Sequence, residues 1–348
     1  MIDFSTLQGV TIPAGVVTQI ERNGVVIWRV AEAGGPIIVE VEKITSDTYA
    51  GETTYPSEQF FVIDVCPKTN GTVTLTYGGL TKTVTDTSGA EAPNATQVFF
   101  GTFNGVSDSV ETPASGTLVI EGDCYAFGKS TFNVANKTVG DCPCFTAIKS
   151  LGSVTNIPIG AFANCEKIKS VKIPESVTVV NSTAFGGCKG LESVEIKSDN
   201  ISIGVMAFYN CISLNNFIVP SSNNGYASEG GVLFNKDKTA IHSYPAASGH
   251  YAISSSVTEV WASAFRDCTA LTSVTIPSSV ISIGDVAFYL ASGNKRTVRI
   301  EGKTPATLSS NSVFDVAGAN EIVVPAGCGE TYKAANNWSK YASYITEG

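Results

Sequence analysis

Histidine is scarce in this chain, two copies in 348 residues, and charged side chains make up only 15% of it. Two imidazoles leave few general bases for proton transfer or for activating a nucleophile. Lys and Arg total 22 against 31 Asp and Glu, a net charge of −9. Nucleic acid, which is held by clustered cations, is therefore not an expected partner. No apolar run reaches the roughly 18 residues that a spanning helix needs, so membrane insertion is not expected. The opening MIDFSTLQGVTIPAG carries Asp3 and lacks the basic and apolar regions of a secretory signal. Phosphate-loop, zinc-protease, nucleophile-elbow and dinucleotide fingerprints are all missing. Paired carboxylates such as Glu192 and Glu195 read as a solvated face. The chain is expected to be no enzyme, with no catalytic residue, no metal and no cofactor.

What is abundant is Gly, Ser, Thr and short apolar runs, the composition of a folded β-rich chain. Three styles of sequence succeed one another. Residues 1–33 contain VTQIERNGVVIWRV, two strand-like runs about Asn23-Gly24, the pair that a type I′ hairpin turn requires. A Gly-Gly-Pro linker follows. Residues 34–140 hold the runs IIVEVEKI, QFFVIDV, TVTLTY, LTKTVTD, QVFFGTF and TLVIEG, separated by turns such as Asn70-Gly71 and Gly78-Gly79. Short alternating strands at this density predict an immunoglobulin-like β-sandwich.

From 141 onward the chain repeats. Phe162, Phe185, Phe208, Phe265 and Phe288, with Phe314 last, stand 23, 23, 57, 23 and 26 residues apart. The long interval equals one repeat plus an insertion of 34 residues, placed at about 223–250. Each repeat carries an L-x-x-L-x-L core, the mark of a leucine-rich repeat solenoid, in which coils bury apolar side chains only against their neighbours. Mainly β structure with about six 23-residue coils over 141–325 and a cap at 326–348 is expected, with the phenylalanines in one buried column. Ile168, Val171 and Ile173 should point inward. Pro174, Pro220 and Pro277 end their strands, where a missing N–H costs little. Cys165, Cys188, Cys211 and Cys268 occupy a second column. Zinc needs pairs two to four residues apart and a catalytic thiol needs a base, so these cysteines are read as packing groups. Cys142 and Cys144 leave alternatives open, a bridge to Cys124 or Cys66 or a cap on the first coil, and Cys328 is likewise unassigned.

The repeat AFRDCTALTSVTIPSSVISIGDVAF resembles the BspA-type leucine-rich repeats of surface proteins from gut and oral anaerobes. The hairpin excursion YASEGGVLFNKDKTAIHSYPAA and the closing segment IVVPAGCGETYKAANNWSKYASYI are similar to elements of that family. The first 30 residues resemble N-terminal modules of virion proteins from phages of gut bacteria. The two resemblances imply two functions. One is a virion structural protein, a tail fibre, receptor-binding or decoration protein. Its N-terminal module would meet other virion proteins, its solenoid would recognise a host surface protein or glycan, and it would form a homo-oligomer, a trimer being the usual virion-fibre arrangement. The alternative is a secreted BspA-like adhesin. The first is the expected function, with a virion location. In either case the contact residues are expected on the outward strand positions, Lys172, Glu195, Ile218, Thr275 and Arg299, flanked by Ser170, Ser193, Asn216, Ser273 and Thr297. These form one polar face about 30 Å long at the usual ~4.8 Å strand spacing. Tyr226, Phe234, His242 and Tyr244 of the excursion are expected to wall one side of it.

Overall fold

The computed structural model describes residues 37–348 outside 43, 46–58, 68–71, 79, 86–95, 104–105, 108–114, 123, 130–131, 135–136, 140–144, 153, 246–247, 291–294 and 315–319. Side chains are described from 145 on, excepting those breaks and 320, and upstream at 73–78, 80–84 and 118. The hairpin read at 1–33 and its linker lie outside the described residues.

Among the described residues twelve strands precede the first full coil: β1 (Ile37–Glu42), β2 (Ile44–Thr45), β3 (Gln59–Pro67), β4 (Thr72–Tyr77), β5 (Leu80–Thr85), β6 (Thr96–Phe103), β7 (Val106–Ser107), β8 (Ser115–Gly122), β9 (Cys124–Lys129), β10 (Phe132–Val134), β11 (Lys137–Val139) and β12 (Phe145–Leu151). All six runs read from the sequence are strands. One antiparallel sheet has the order β12-β1-β8-β4-β5, and a second has β2-β3-β6-β7 with β9 also paired to β3. Between β4 and β5 the chain turns at Gly78, whose φ of 56° is left-handed. β12 is shared: it pairs antiparallel with β1 and packs on the next coil's strand, Ser170–Ile173. Val73, Leu75, Tyr77, Leu118 and Phe145 consequently belong to the same buried cluster as the coils up to Leu233. The five-stranded sheet thereby covers the solenoid's open N-terminal end.

The solenoid makes about eight turns over residues 156–347, more than the six expected, because the insertion and the C-terminal cap each complete a coil. Most coils contribute one long and one short strand to parallel ladders. Ser170–Ile173 aligns with Ser193–Ile196 residue for residue, and Val194 with Phe217 of Asn216–Ile218. Ile168, Val171 and Ile173 are buried, as are Leu191, Val194 and Ile196. Two residues before Phe162, Phe185, Phe208, Phe265 and Phe288 the chain takes a left-handed corner, at Gly160, Thr183, Met206, Ser263 and Val286. Only one of these five is glycine. Val286 at φ 47° and Thr183 at φ 58° are β-branched residues in a region that disfavours them.

Ring stacking sets the rise. Phe162 and Phe185 lie 5.1 Å apart and Phe185 and Phe208 5.5 Å, both nearly parallel. These separations match the spacing of parallel strands, so backbone ladder and aromatic column reinforce one another. The cysteine column is buried and reduced. Its thiols do more than fill space: Cys188 Sγ donates to Phe162 O at 3.0 Å and Cys211 Sγ to Phe185 O at 3.1 Å, each reaching the preceding coil. Burial pushes the thiols of Cys211 and Cys268 up to about 12, which leaves no thiolate for chemistry at neutral pH.

The phenylalanine column is not single, a correction to the expected uninterrupted stack. Phe208 turns edge-on to Phe217, and the next parallel ring is Tyr244, stacked at 4.7 Å on Phe265. Phe265, Phe288 and Phe314 continue at 4.9 and 5.5 Å. The buried side chains accordingly fall into two clusters that meet at Val232–Phe234. The cause is the excursion, three antiparallel strands at Tyr226–Glu229, Val232–Asn235 and Ala240–Ser243. Its first turn is Gly230-Gly231, both with positive φ; Asn235 holds the second, accepting from the Thr239 and Ala240 N–H groups. Tyr226, Phe234, His242 and Tyr244 are buried. They close the core and do not form the outer wall expected of them.

At the C-terminal end, helix α1 (Gly329–Ala334) and a 3-10 segment (Trp338–Tyr344) cover the last ring. Trp338 and Tyr341 lie 5.6 and 5.2 Å from Phe314. Tyr332 Oη, Trp338 Nε1 and Tyr341 Oη donate to the carbonyls of Gly302, Ala306 and Asn311 at 2.7, 2.8 and 2.7 Å.

Two stability outcomes follow for the stacks. Cys188→Ala removes a buried sulfur and a donor to Phe162 O, with an expected cost of about 1–2 kcal/mol. Val286→Asn relieves a left-handed valine and should raise stability by about 1 kcal/mol. Urea denaturation of both variants beside the parent checks these signs.

Candidate functional site

The outward strand positions exist, but as two faces. On the N-terminal stack Ser170, Ser193 and Asn216 stand in register, and beside them Lys172, Glu195 and Ile218. On the C-terminal stack the rows are His250, Ser273, Thr297 and Glu321, and Ala252, Thr275 and Arg299, the last in register with the buried Val323. The edge between them is occupied by the excursion: Gly231 O accepts from Phe217 N–H, and Ser228 Oγ from Val219 N–H. The single ten-residue face is thus corrected to one of six positions and one of four, because the insertion pairs along the strand where the next coil would have added. His250 was missed, since the insertion hid its alignment with Ser273. Its Nδ1 lies 2.8 Å from Ser273 Oγ on the exposed surface.

The two faces differ in charge. Lys172 and Lys197 both reach Glu195, at 3.4 and 2.5 Å, and Lys197 first, then Lys172, holds that carboxyl below the usual range. Lys169–Glu192 at 3.2 Å and Lys189–Glu166 at 2.6 Å pair across coils as well. The first face is self-neutralised, with the exposed Ile218 at its end. On the second face Arg299 is exposed and belongs to none of the ion pairs found among the described residues. It stands beside the hydroxyls of Thr275 and Thr297, and the Glu321 carboxylate of the same face pairs with Lys295 at 3.7 Å.

Between the stacks lies a seam closed by side chains. In the short-strand ladder the carbonyl equivalent to Ile203 O takes a backbone N–H from the next coil: Asn181 to Ile157, Gly204 to Val180, Trp261 to Ile241, Gly284 to Val260. At Ile203 the excursion removes that donor, and His242 Nε2 takes its place at 3.1 Å. The Ile203 N–H finds Tyr226 Oη at 3.0 Å. A carbonyl accepts only, so Nε2 carries the proton, and Nδ1 accepts from Ser243 Oγ at 2.9 Å. The ring is wedged edge-on between Tyr226 and Trp261, with centroids 5.5 and 5.4 Å away. Burial pushes its pKa down to about 4. The imidazole is thus a structural cap, and Tyr209 and Tyr289, each following the buried phenylalanine of its repeat, are half-buried.

The stacked coils, buried ring column and terminal caps define a leucine-rich repeat solenoid. The repeats match the BspA type leucine rich repeat region in six copies over residues 127–230 and 247–336, more than half the chain, which therefore belongs to that family. The break between the two matched segments falls on the seam. Solved structures to which the chain is similar include the pneumococcal vaccine antigen PcpA, 15% identical, with 56% of this chain and 69% of that one covered and a TM-score of 0.31. A leucine rich cell surface protein of Faecalibacterium prausnitzii is 22% identical over 56% of this chain and 62% of that one, TM-score 0.36. A leucine-rich repeat protein of Eubacterium ventriosum is 20% identical over 51% and 64%, TM-score 0.31. The chain spans less than two thirds of the length of the last two. No curated protein matches it.

His242 makes stability depend on pH. Its folded pKa lies below the ordinary 6.5, so between about pH 6.5 and 4 the unfolded chain binds the extra proton. Stability should fall as pH drops through that window, by up to about 3 kcal/mol. His242→Gln keeps a donor for Ile203 O without titrating. Urea midpoints from pH 7 to 4 should show a shallower slope for the variant than for the parent.

Proposed function

We propose that this protein is a non-enzymatic surface adhesin, secreted or held at a bacterial cell surface, that binds a glycan or protein through the outward strand faces of its solenoid. Membership of the BspA-type family supports this reading, since proteins with such repeats resemble surface proteins of anaerobes. Among the described residues no helix is long and apolar enough to cross a membrane. The observation that carries the proposal is the C-terminal face, where His250, Ser273 and Thr297 run in register beside Ala252, Thr275 and Arg299. An open, hydroxyl-rich sheet with one uncompensated cation suits an extended polar ligand and has no enclosing walls. The family match favours the second of the two functions inferred from the sequence. The virion reading, with its attachment module and trimeric assembly, rests on residues 1–33, outside the described region.

Arg299→Glu together with His250→Ala should weaken attachment to target cells or to immobilised glycans by about tenfold, the effect of one charged contact. The melting temperature should stay within about 2 °C, since both positions are exposed. Lys172→Glu should do less, because its charge is already paired. Binding unchanged by the double substitution would remove the C-terminal face from the contact surface.

A further inference from the structure

The seam holds the chain's one internal methionine. The sequence has two, Met1 and Met206, and Met206 stands half-buried at the left-handed corner before Phe208, with φ 62°. Its Sδ faces the guanidinium of Arg266, with Nη1 3.7 Å away. Phe208 belongs to the first buried cluster and Phe265, which Arg266 follows, to the second. This contact therefore joins the two stacks where their ring column is interrupted.

The contact is weak on the acceptor side and well prepared on the donor side. A thioether accepts poorly. Arg266 is fixed between two aromatic rings, 5.3 Å from the Tyr209 centroid and 5.4 Å from that of Tyr289, which keeps its fork in one orientation. Nε–H reaches Asp267 Oδ2 at 3.4 Å, while Nη1 is the nitrogen turned to the sulfur. Met206, Ser263 and Arg266 are among the residues lining a hollow of about 20 Å3, room for a single water-sized atom. The Ser263 hydroxyl is buried with no hydrogen-bond partner, and a group in that state gains from any acceptor brought within reach. One oxygen atom added to the sulfur fits the hollow and is a strong acceptor, which converts the contact to Arg266 into a charge-assisted hydrogen bond.

We propose that Met206 is a reversible oxidation site whose sulfoxide fastens the N-terminal stack to the C-terminal stack through Arg266. The oxidant is hydrogen peroxide. A sulfur lone pair attacks one peroxide oxygen, and the S–O bond forms as the O–O bond breaks. The leaving oxygen takes the proton of the transferred one and departs as water; sulfur gives up two electrons and the peroxide gains them. Methionine sulfoxide reductase reverses the step. Sulfoxides usually loosen a packed interior, whereas here the new oxygen meets a waiting donor across the seam and tightens it. The site is independent of the strand faces of the proposed function.

Treatment of the folded full chain with hydrogen peroxide, followed by peptide mass spectrometry and amide hydrogen exchange, tests this. The peptide carrying Met206 should gain one oxygen atom. Amides in 201–210 and 240–245 should then exchange about tenfold more slowly than in the untreated chain. Methionine sulfoxide reductase should restore the original rates. Met206→Leu, treated alike, should show no slowing, which separates Met206 from oxidation elsewhere. Arg266→Leu should still take up the oxygen at Met206 but gain no protection. The proposal is overturned if Met206 of the folded chain takes up no oxygen, or if its oxidation leaves exchange at the seam unchanged or faster. It is equally overturned if peroxide slows Met206→Leu or Arg266→Leu as much as the parent.

Discussion

Each coil of this chain presents both faces of its aromatic ring to its neighbours, and only the coils above and below can cover them. The fold is built on that requirement. Rings 4.7–5.5 Å apart within each stack fix the rise per coil, and the parallel ladders and S–H···O contacts to the phenylalanine carbonyls follow at the same spacing. The ends are where the requirement bites, because a terminal ring has a bare face. Phe145 and the five-stranded sheet cover one end; Trp338 and Tyr341 cover the other. A repeat protein without such caps exposes its core.

The same requirement explains the middle. An insertion that adds strands sideways cannot also supply the next ring or the next backbone donor. Tyr226 and His242 replace the missing backbone partners of Ile203, and Tyr244 starts a second column. The seam is therefore held by side chains where the rest is held by backbone. Two consequences follow for function. The outer surface is divided into a charge-paired face and a face on which Arg299 joins no ion pair among the described residues, and the ring column is interrupted between Phe208 and Tyr244.

The regular part was legible because a 23-residue period makes every column visible: inward aliphatics, phenylalanines, cysteines and the outward rows were all read correctly within a stack. What stayed hidden was what breaks the period. Tyr244 occupies the ring column behind Ser243 where other coils write Ala-Phe, so the column seemed to skip a coil and the rows to run on. His250 lost its alignment with Ser273 for the same reason. The left-handed corners gave no signal, because Thr183, Met206 and Val286 are not residues that announce such a conformation. Arg296, buried against Phe288 O at 2.8 Å, reads in the sequence as an ordinary charged strand residue. β12 could not be foreseen as a shared strand, since nothing local distinguishes pairing with β1 from stacking on the next coil.

The solenoid is two stacks joined by a side-chain seam, and amide hydrogen exchange tests this most directly. Peptides within a stack, such as 179–188 and 282–290, should exchange only through global unfolding. Those at the seam, 201–210 and 240–245, should open at markedly lower free energy, because side-chain partners replace part of the backbone ladder there. Protection at the seam equal to that within the stacks would show one continuous column and contradict the account.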